Sequence, residues 1–220
     1  MSASLDELYD YRALRSIDRA TLFAPQLDEP VLVLGSSQSV DVLDAGRVGG
    51  LTLRRRRGGG GLVLLSPGDI WIDWWIPAAD PRWSPDVRVS ASRVGGWWRS
   101  ALAGLVGGDV EVYDGPVSGD PRHRVVCFAA RGPGEVFVDG RKAVGVAQWR
   151  VREGILLTTV LRAHHSDAVA DLLASEPDGL REALAHHTSA SLDLADPVAL
   201  VADLRARDGP WSNSMAPLTL

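Results

Sequence analysis

Four arginines run directly into four glycines, Arg54-Arg55-Arg56-Arg57-Gly58-Gly59-Gly60-Gly61. Glycine gives up the most backbone entropy on ordering, so four together suit a main chain that must pass very close to something, such as a ligand chain or a phosphate. The arginines beside it offer guanidinium forks that match phosphate or carboxylate. A solvated hairpin turn with a basic edge fits the same residues.

Two further residue types invite chemistry. Lys142 is the single lysine, against 22 arginines, and it follows the turn Asp139-Gly140. A lysine supplies a compact charge on a flexible stem, able to follow a shifting phosphate or thiolate, although a hairpin lysine is often only solvent-facing. Cys127, the single cysteine, lies fifteen positions earlier in Val125-Val126-Cys127-Phe128. A thiol near a lysine cation can act as a nucleophile, and a lone cysteine in an apolar strand is as readily a small buried hydrophobe.

These groups need elements to position them. Residues 5–22 read as a helix or helical arm. Val31–Leu34, ending at Gly35, is a short buried strand, and Leu51–Arg56 and Gly61–Leu65 flank the glycines as two more. Ile70–Ile76 alternates, with Ile70, Ile72, Trp74 and Ile76 on one face and Trp71, Asp73 and Trp75 on the other. Asp86 can cap a helix over 87–106. Strands are expected at 110–113, 125–129, 135–138, 143–149 and 154–161, with Asp139-Gly140 as a two-residue hairpin whose positions favour positive φ. Helices follow at 167–174, capped by Ser166, at 178–186, and at 197–208 with Pro197 in its first turn. Strands in a block followed by helices predict an α+β fold with a mixed, largely antiparallel sheet and packed helices, with no boundary inside residues 1–220.

Composition narrows the partners. The net charge of −5 and 45% hydrophobic content describe an ordinary globular chain with no global field for nucleic acid or anionic lipid. Basic character is local, which suits a small anionic ligand. One cysteine permits no internal disulfide, and neither a signal peptide nor a span of about 18 apolar residues is evident, so a cytoplasmic location is expected. The adjacent pairs His164-His165 and His186-His187 have no ligand spacing, so no metal site is expected. The eight tryptophans read as core and helix–sheet packing, with lining of an apolar channel as the alternative. No Gly-Lys-Ser/Thr follows the glycines, which excludes a P-loop.

Together the segments resemble the lipoate–protein ligase and octanoyltransferase family, within the biotin/lipoate protein ligase catalytic-domain superfamily. One signature, Arg-Arg-x-Gly-Gly-Gly then a small and an apolar residue, maps onto Arg55 to Gly60, then Gly61 and Leu62. A second maps onto Gly140-Arg141-Lys142-Ala143-Val144-Gly145-Val146-Ala147-Gln148-Trp149-Arg150. A third, an early strand ending in Gly-x-x-Gln, maps onto Val33 to Gln38. The resemblance implies a single catalytic domain without a C-terminal accessory domain. It implies that lipoate or octanoate is activated by ATP and Mg²⁺ as an acyl-adenylate and passed to a lysine of a lipoyl carrier domain, either a 2-oxoacid dehydrogenase E2 or a glycine-cleavage H protein. Arg55, Arg56, Gly58, Gly59, Gly60, Gly61, Leu62, Val63 and Gly145 would then line the substrate and nucleotide site. Lys142 would hold the carboxylate and phosphate oxygens, a contact worth ~10²–10³ in rate. A branch of the same family implies a second route, in which Cys127 takes octanoyl from acyl carrier protein as a thioester without ATP. A third reading is a binder of lipoyl domains or acyl-adenylate without turnover. The acyl group, lipoyl, octanoyl or biotinyl, is open.

Overall fold

The computed structural model describes residues 6–163, 167–187, 197–208 and 211–213. Among the described residues, ten strands and five α-helices follow one another. The strands are β1 (Thr21–Phe23), β2 (Val31–Leu34), β3 (Thr52–Arg55), β4 (Val63–Leu65), β5 (Ile70–Pro77), β6 (Val110–Val112), β7 (Val136–Val138), β8 (Arg141–Val151), β9 (Gly154–Leu161) and β10 (Ser212–Asn213). The helices are α1 (Tyr11–Arg15), α2 (Val87–Leu102), α3 (Ala168–Asp171), α4 (Leu180–His187) and α5 (Pro197–Ala206).

The strands form two sheets. A seven-stranded sheet runs β10-β1-β5-β9-β8-β7-β6, antiparallel except where β10 meets β1. A three-stranded sheet runs β3-β2-β4, with β2 parallel to β3 and antiparallel to β4. This is the expected mixed, largely antiparallel α+β arrangement.

The alternation in β5 dictates the layering. Ile70, Ile72, Trp74 and Ile76 pack against Val94, Trp97, Trp98 and Leu102 of α2 and against Leu200 and Leu204 of α5. Trp71 and Trp75 face the opposite core, which the small sheet closes with Val31 to Leu34, Val63 and Leu65, joined by Leu180 and Leu184 of α4. A strand covered on both faces sits at the centre of three layers, and both of its faces are apolar apart from Asp73. Asp86 caps α2 as expected, its side chain accepting from the Arg88 and Val89 amides. The Asp139-Gly140 hairpin has positive φ at both positions, 49° and 74°.

Two expectations are corrected. In place of the helix expected over 5–22, residues 6–22 hold the five-residue α1 and the start of β1, preceded by an extended strap in which Leu8 donates its amide to the Arg55 carbonyl and Arg55 donates its own to the Asp6 carbonyl. Residues 125–129 are not a strand but two 3₁₀ turns, Pro121–Val125 and Cys127–Ala129. Val125 and Cys127 straddle Leu62, the Leu62 amide donating to the Val125 carbonyl and the Cys127 amide to the Leu62 carbonyl. The chain makes that one rung and then turns away. Ser166 and His164-His165 lie outside the described residues.

Candidate active site

The glycine block folds against the chain's own backbone. A Cβ built on Gly35, at the end of β2, would stand 2.0 Å from the Gly60 carbonyl oxygen, and one on Gly61 would stand 2.5 Å from that of Arg124. The close approach read from the glycines is therefore to the Gly35 turn and to residues 124–126. The arginines brace that approach. Arg56 is buried and donates to the carbonyls of Gly59 at 2.9 Å and Gly61 at 2.7 Å. Arg55 donates to Gly35 at 3.1 Å and Gln38 at 2.5 Å, and Arg57 pairs with Glu7. Gln38 closes the turn, accepting from the Gly35 amide and donating to the Val125 carbonyl, both at 2.9 Å. Burial lowers the pKa of Arg56, and the neighbouring Cys127 draws it partly back.

Lys142, in β8, is 1% exposed. Its three N–H groups are all engaged, with the Cys127 carbonyl at 2.7 Å, the Ala130 carbonyl at 3.2 Å and Glu135 Oε1 at 2.5 Å. The Phe128 ring covers the ammonium at 4.8 Å. Glu135 also accepts from the Gly132 amide at 2.7 Å, and burial raises its carboxyl above the usual range despite the lysine beside it. A β-bulge at Val136/Phe137 adjusts the register that brings the two residues together.

The space between the sheets is a cleft with two compartments that meet at Cys127. The inner one is a narrow apolar slot lined by Leu8, Val33, Val63, Leu65, Trp71 and Phe128, among others, together with Gly145 and Cys127. The outer one, about 300 Å³, is lined by Gly59, Gly60 and Gly61, by apolar residues such as Val117, Val126 and Pro133, and by a few polar groups, Arg124, Arg131, Glu135 and Gln148. Cys127 lines both, and Lys142 lines neither. Gly145 keeps the junction open, because a Cβ there would lie 3.6 Å from Cys127 Sγ and 3.2 Å from the Phe128 ring.

Of the residues read from the sequence, Cys127, Gly59 to Gly61, Val63 and Gly145 come together on the cleft. Arg56 lines its inner wall. Arg55 and Arg57 are turned to main chain and to Glu7, while Gly58 is buried against Gln148, and Leu62 is fully buried behind the wall. Sequence reasoning passed over Glu135, Arg124 and Arg131. It also passed over Asp73, fully buried beneath the inner compartment, which accepts from Tyr9 Oη and, at 2.7 Å, from Trp71 Nε1. Burial outweighs these bonds and those from Thr158 and Thr159, and pushes the Asp73 pKa up to about 7. The signal for Glu135 was present: it is a lone acid heading an apolar strand opposite the single lysine. Among the described residues no group of three His, Cys, Asp or Glu could hold a metal, and no helix is long and apolar enough to cross a membrane.

A fully buried β5, a glycine loop closed on the end of β2 and a cleft between two sheets define a fold that can be compared. Lipoate-protein ligase A bound with ATP superposes with a TM-score of 0.70 at 17% identity, covering 96% of this chain and 83% of that one. The chain has the lipoate–protein ligase fold. A bi-partite lipoate protein ligase from Thermoplasma acidophilum, solved as part of a lipoylation system with its E2 lipoyl domain, superposes with a TM-score of 0.69 at 17% identity over 96% of this chain and 82% of that one. LipL1 of P. falciparum in complex with lipoate gives 0.54 at 14% identity, over 86% of this chain and 46% of that one. No family profile and no curated protein matches the sequence.

Proposed function

We propose that this protein transfers a medium-chain acyl group, octanoyl or lipoyl, to a lysine of a lipoyl carrier domain, with Cys127 as the point of attachment. The observation that carries this reading is the place of Cys127, which lines both a narrow apolar slot and a wider basin that carries Arg124, Arg131 and Glu135. The tail enters the slot by burying methylenes against Val33, Val63, Leu65 and Val160, each worth about 0.8 kcal/mol. That leaves the acyl carbon near Sγ.

In the first half-reaction Cys127 Sγ attacks the carbonyl carbon of an acyl thioester, such as acyl carrier protein would present. An Sγ–C bond forms, the donor C–S bond breaks, and the thiol proton leaves with the departing thiol. In the second, the amine of the acceptor lysine attacks the same carbon. An N–C bond forms, the C–Sγ bond breaks, and the proton released by the amine returns to sulfur. Thioester exchange is nearly isoenergetic, so no nucleotide is required. Lys142 fixes the turn that carries the thiol by holding the carbonyls of Cys127 and Ala130.

A second reading, ATP-dependent ligation through an acyl-adenylate, is favoured by the outer basin. Its glycine backbone and the rim cations Arg124 and Arg131 would suit a nucleotide, and one superposed structure is that of a ligase bound with ATP. Magnesium in that scheme would be held through the phosphates, since Glu135, the carboxylate on the basin, is paired with Lys142. A lipoyl domain incubated with the protein and either octanoyl-pantetheine or octanoate plus ATP separates the two. Acylation from the thioester, abolished in Cys127→Ser, supports the first reading. AMP release with acylation that survives Cys127→Ser replaces it with the second.

A further inference from the structure

Asp73 is the buried group that the transfer chemistry leaves without a task. It is fully buried in β5, and the groups that donate to it come from three parts of the wall around the inner slot. Trp71 Nε1 donates at 2.7 Å, and Tyr9 Oη and the Thr158 hydroxyl donate as well. Trp71 and Thr158 line the slot, and so does Leu8, the neighbour of Tyr9 on the N-terminal strap. A carboxyl is costly to bury unless it is hydrogen-bonded, so these donors and Asp73 hold one another in place.

Strand register lays the slot across the large sheet. Gly145, Val160 and Trp71 are neighbours on β8, β9 and β5, and Ala147, Thr158 and Asp73 form the next row on the same face. Cys127 marks the β8 end, because a Cβ on Gly145 would lie 3.6 Å from its sulfur. Trp71 marks the β5 end. Adjacent strands lie ~4.8 Å apart, so the two ends are separated by about 10 Å. An extended chain of single bonds advances roughly 1.2 Å per bond, and about eight bonds span that distance. Leu8, Leu65 and Trp71, which line the slot, are each no more than 2% exposed and leave little side room. Trp71 is not free to swing aside, since its N–H would leave Asp73 and become a buried donor without a partner.

We infer that Trp71, held by Asp73, sets the acyl group: it closes the slot to tails longer than about eight carbons and to tails that end in a ring, so the substrate is a straight-chain octanoyl group rather than a lipoyl group. A dithiolane ring widens the far end of a lipoyl tail, where the indole stands. Trp71 meets the tail itself, and Asp73 acts through it as a positioning residue. The inference rests on the reading that an acyl tail enters the slot from Cys127, but it concerns the shape of the tail and is tested by binding without turnover.

The experiment is isothermal titration of the full chain with straight-chain alkanoates from hexanoate to dodecanoate, and with lipoate. In the wild type, affinity should rise about fourfold per added carbon up to octanoate. It should then fall, with dodecanoate and lipoate each at least about tenfold weaker than octanoate. Trp71→Phe removes the indole N–H and shortens the side chain, and should move the maximum to decanoate or beyond while lipoate gains at least about fivefold. Asp73→Leu leaves the indole untied and should flatten the maximum, and Asp73→Asn, which restores an acceptor, should recover it. A purely structural role would weaken every chain length alike. Should the Asp73 variants not fold, the wild type and Trp71→Phe decide. Affinity that climbs through dodecanoate, lipoate binding as tightly as octanoate, a maximum unmoved by Trp71→Phe, or no binding of any member overturns the inference. A maximum at octanoate that moves in Trp71→Phe, in a protein that acylates no lipoyl domain from octanoyl-pantetheine, supports the inference while defeating the transfer reading. Lipoyl-domain acylation that runs equally well from octanoyl- and dodecanoyl-pantetheine does the reverse.

Discussion

Replacing Lys142 by methionine tests the buried pair most sharply. The lysine and glutamate side chains are 1% and 7% exposed and 2.5 Å apart. Removing the ammonium leaves Glu135 buried without its cation, and deprives the Cys127 and Ala130 carbonyls of a donor. Breaking such a pair on one side costs roughly 3–5 kcal/mol, about 6–20 °C of melting temperature for a chain of this size. The double variant Lys142→Met with Glu135→Gln removes the stranded charge and should recover at least about 2 kcal/mol of that loss. The loss should also depend on pH. Without the lysine, only the Gly132 and Val146 amides offset the burial that already raises Glu135. A carboxyl with a native pKa above its unfolded value takes up a proton on folding, so stability falls as pH rises through that interval. The penalty in Lys142→Met is accordingly smaller near pH 5 than near pH 8. Urea denaturation at both pH values, on wild type, both single variants and the double variant, gives every quantity. A Lys142→Met penalty under about 1 kcal/mol, or one that does not grow with pH, refutes the reasoning.

Three other changes bear on the same architecture. Asp73, whose pKa is pushed up to about 7 by burial, binds a proton in the native state across roughly pH 4 to 7 that the unfolded chain has released. Stability from this group therefore declines over that range by on the order of 4 kcal/mol, and Asp73→Asn should flatten the measured slope by about one proton. Gly61→Ala places a Cβ 2.5 Å from the Arg124 carbonyl oxygen, and chemical denaturation should show a loss of about 2–4 kcal/mol, as for other buried steric insertions. Gly145→Val presses on the Phe128 ring and Cys127 Sγ; alkylation of Cys127 by iodoacetamide should slow by at least about tenfold while the fold, read by circular dichroism, persists.

The frame of the molecule was legible because local rules agreed with the global fold. The alternation in Ile70–Pro77, the Asp86 cap and the Asp139-Gly140 turn each specify geometry within a few residues, and each is realised. Val125-Val126-Cys127 misled because β-branched residues read as strand while only one rung with Leu62 exists; the rest is turn, set by Asp120 and Pro121, which start the first 3₁₀ segment. The arginines beside the glycines donate to main-chain carbonyls and to Glu7, contacts that the sequence does not specify because they depend on what packs across from each guanidinium. Lys142 was singled out by its rarity, yet its partner Glu135 depends on a bulged register between β7 and β8. Asp73 was visible as a carboxylate on a covered face of β5; its links to Tyr9 and Thr158 arise from strand pairing and the N-terminal strap.

The central claim is that acyl carbon and Cys127 sulfur meet at the junction of slot and basin. Intact mass spectrometry of the protein after brief exposure to octanoyl-pantetheine, without acceptor and without ATP, tests it directly. The account predicts a single octanoyl adduct that maps to Cys127, disappears on adding a lipoyl domain, and reappears on that domain's lysine. Recovery of the protein at its unmodified mass, in a sample whose lipoyl domain is nonetheless acylated once ATP and octanoate are supplied, contradicts it.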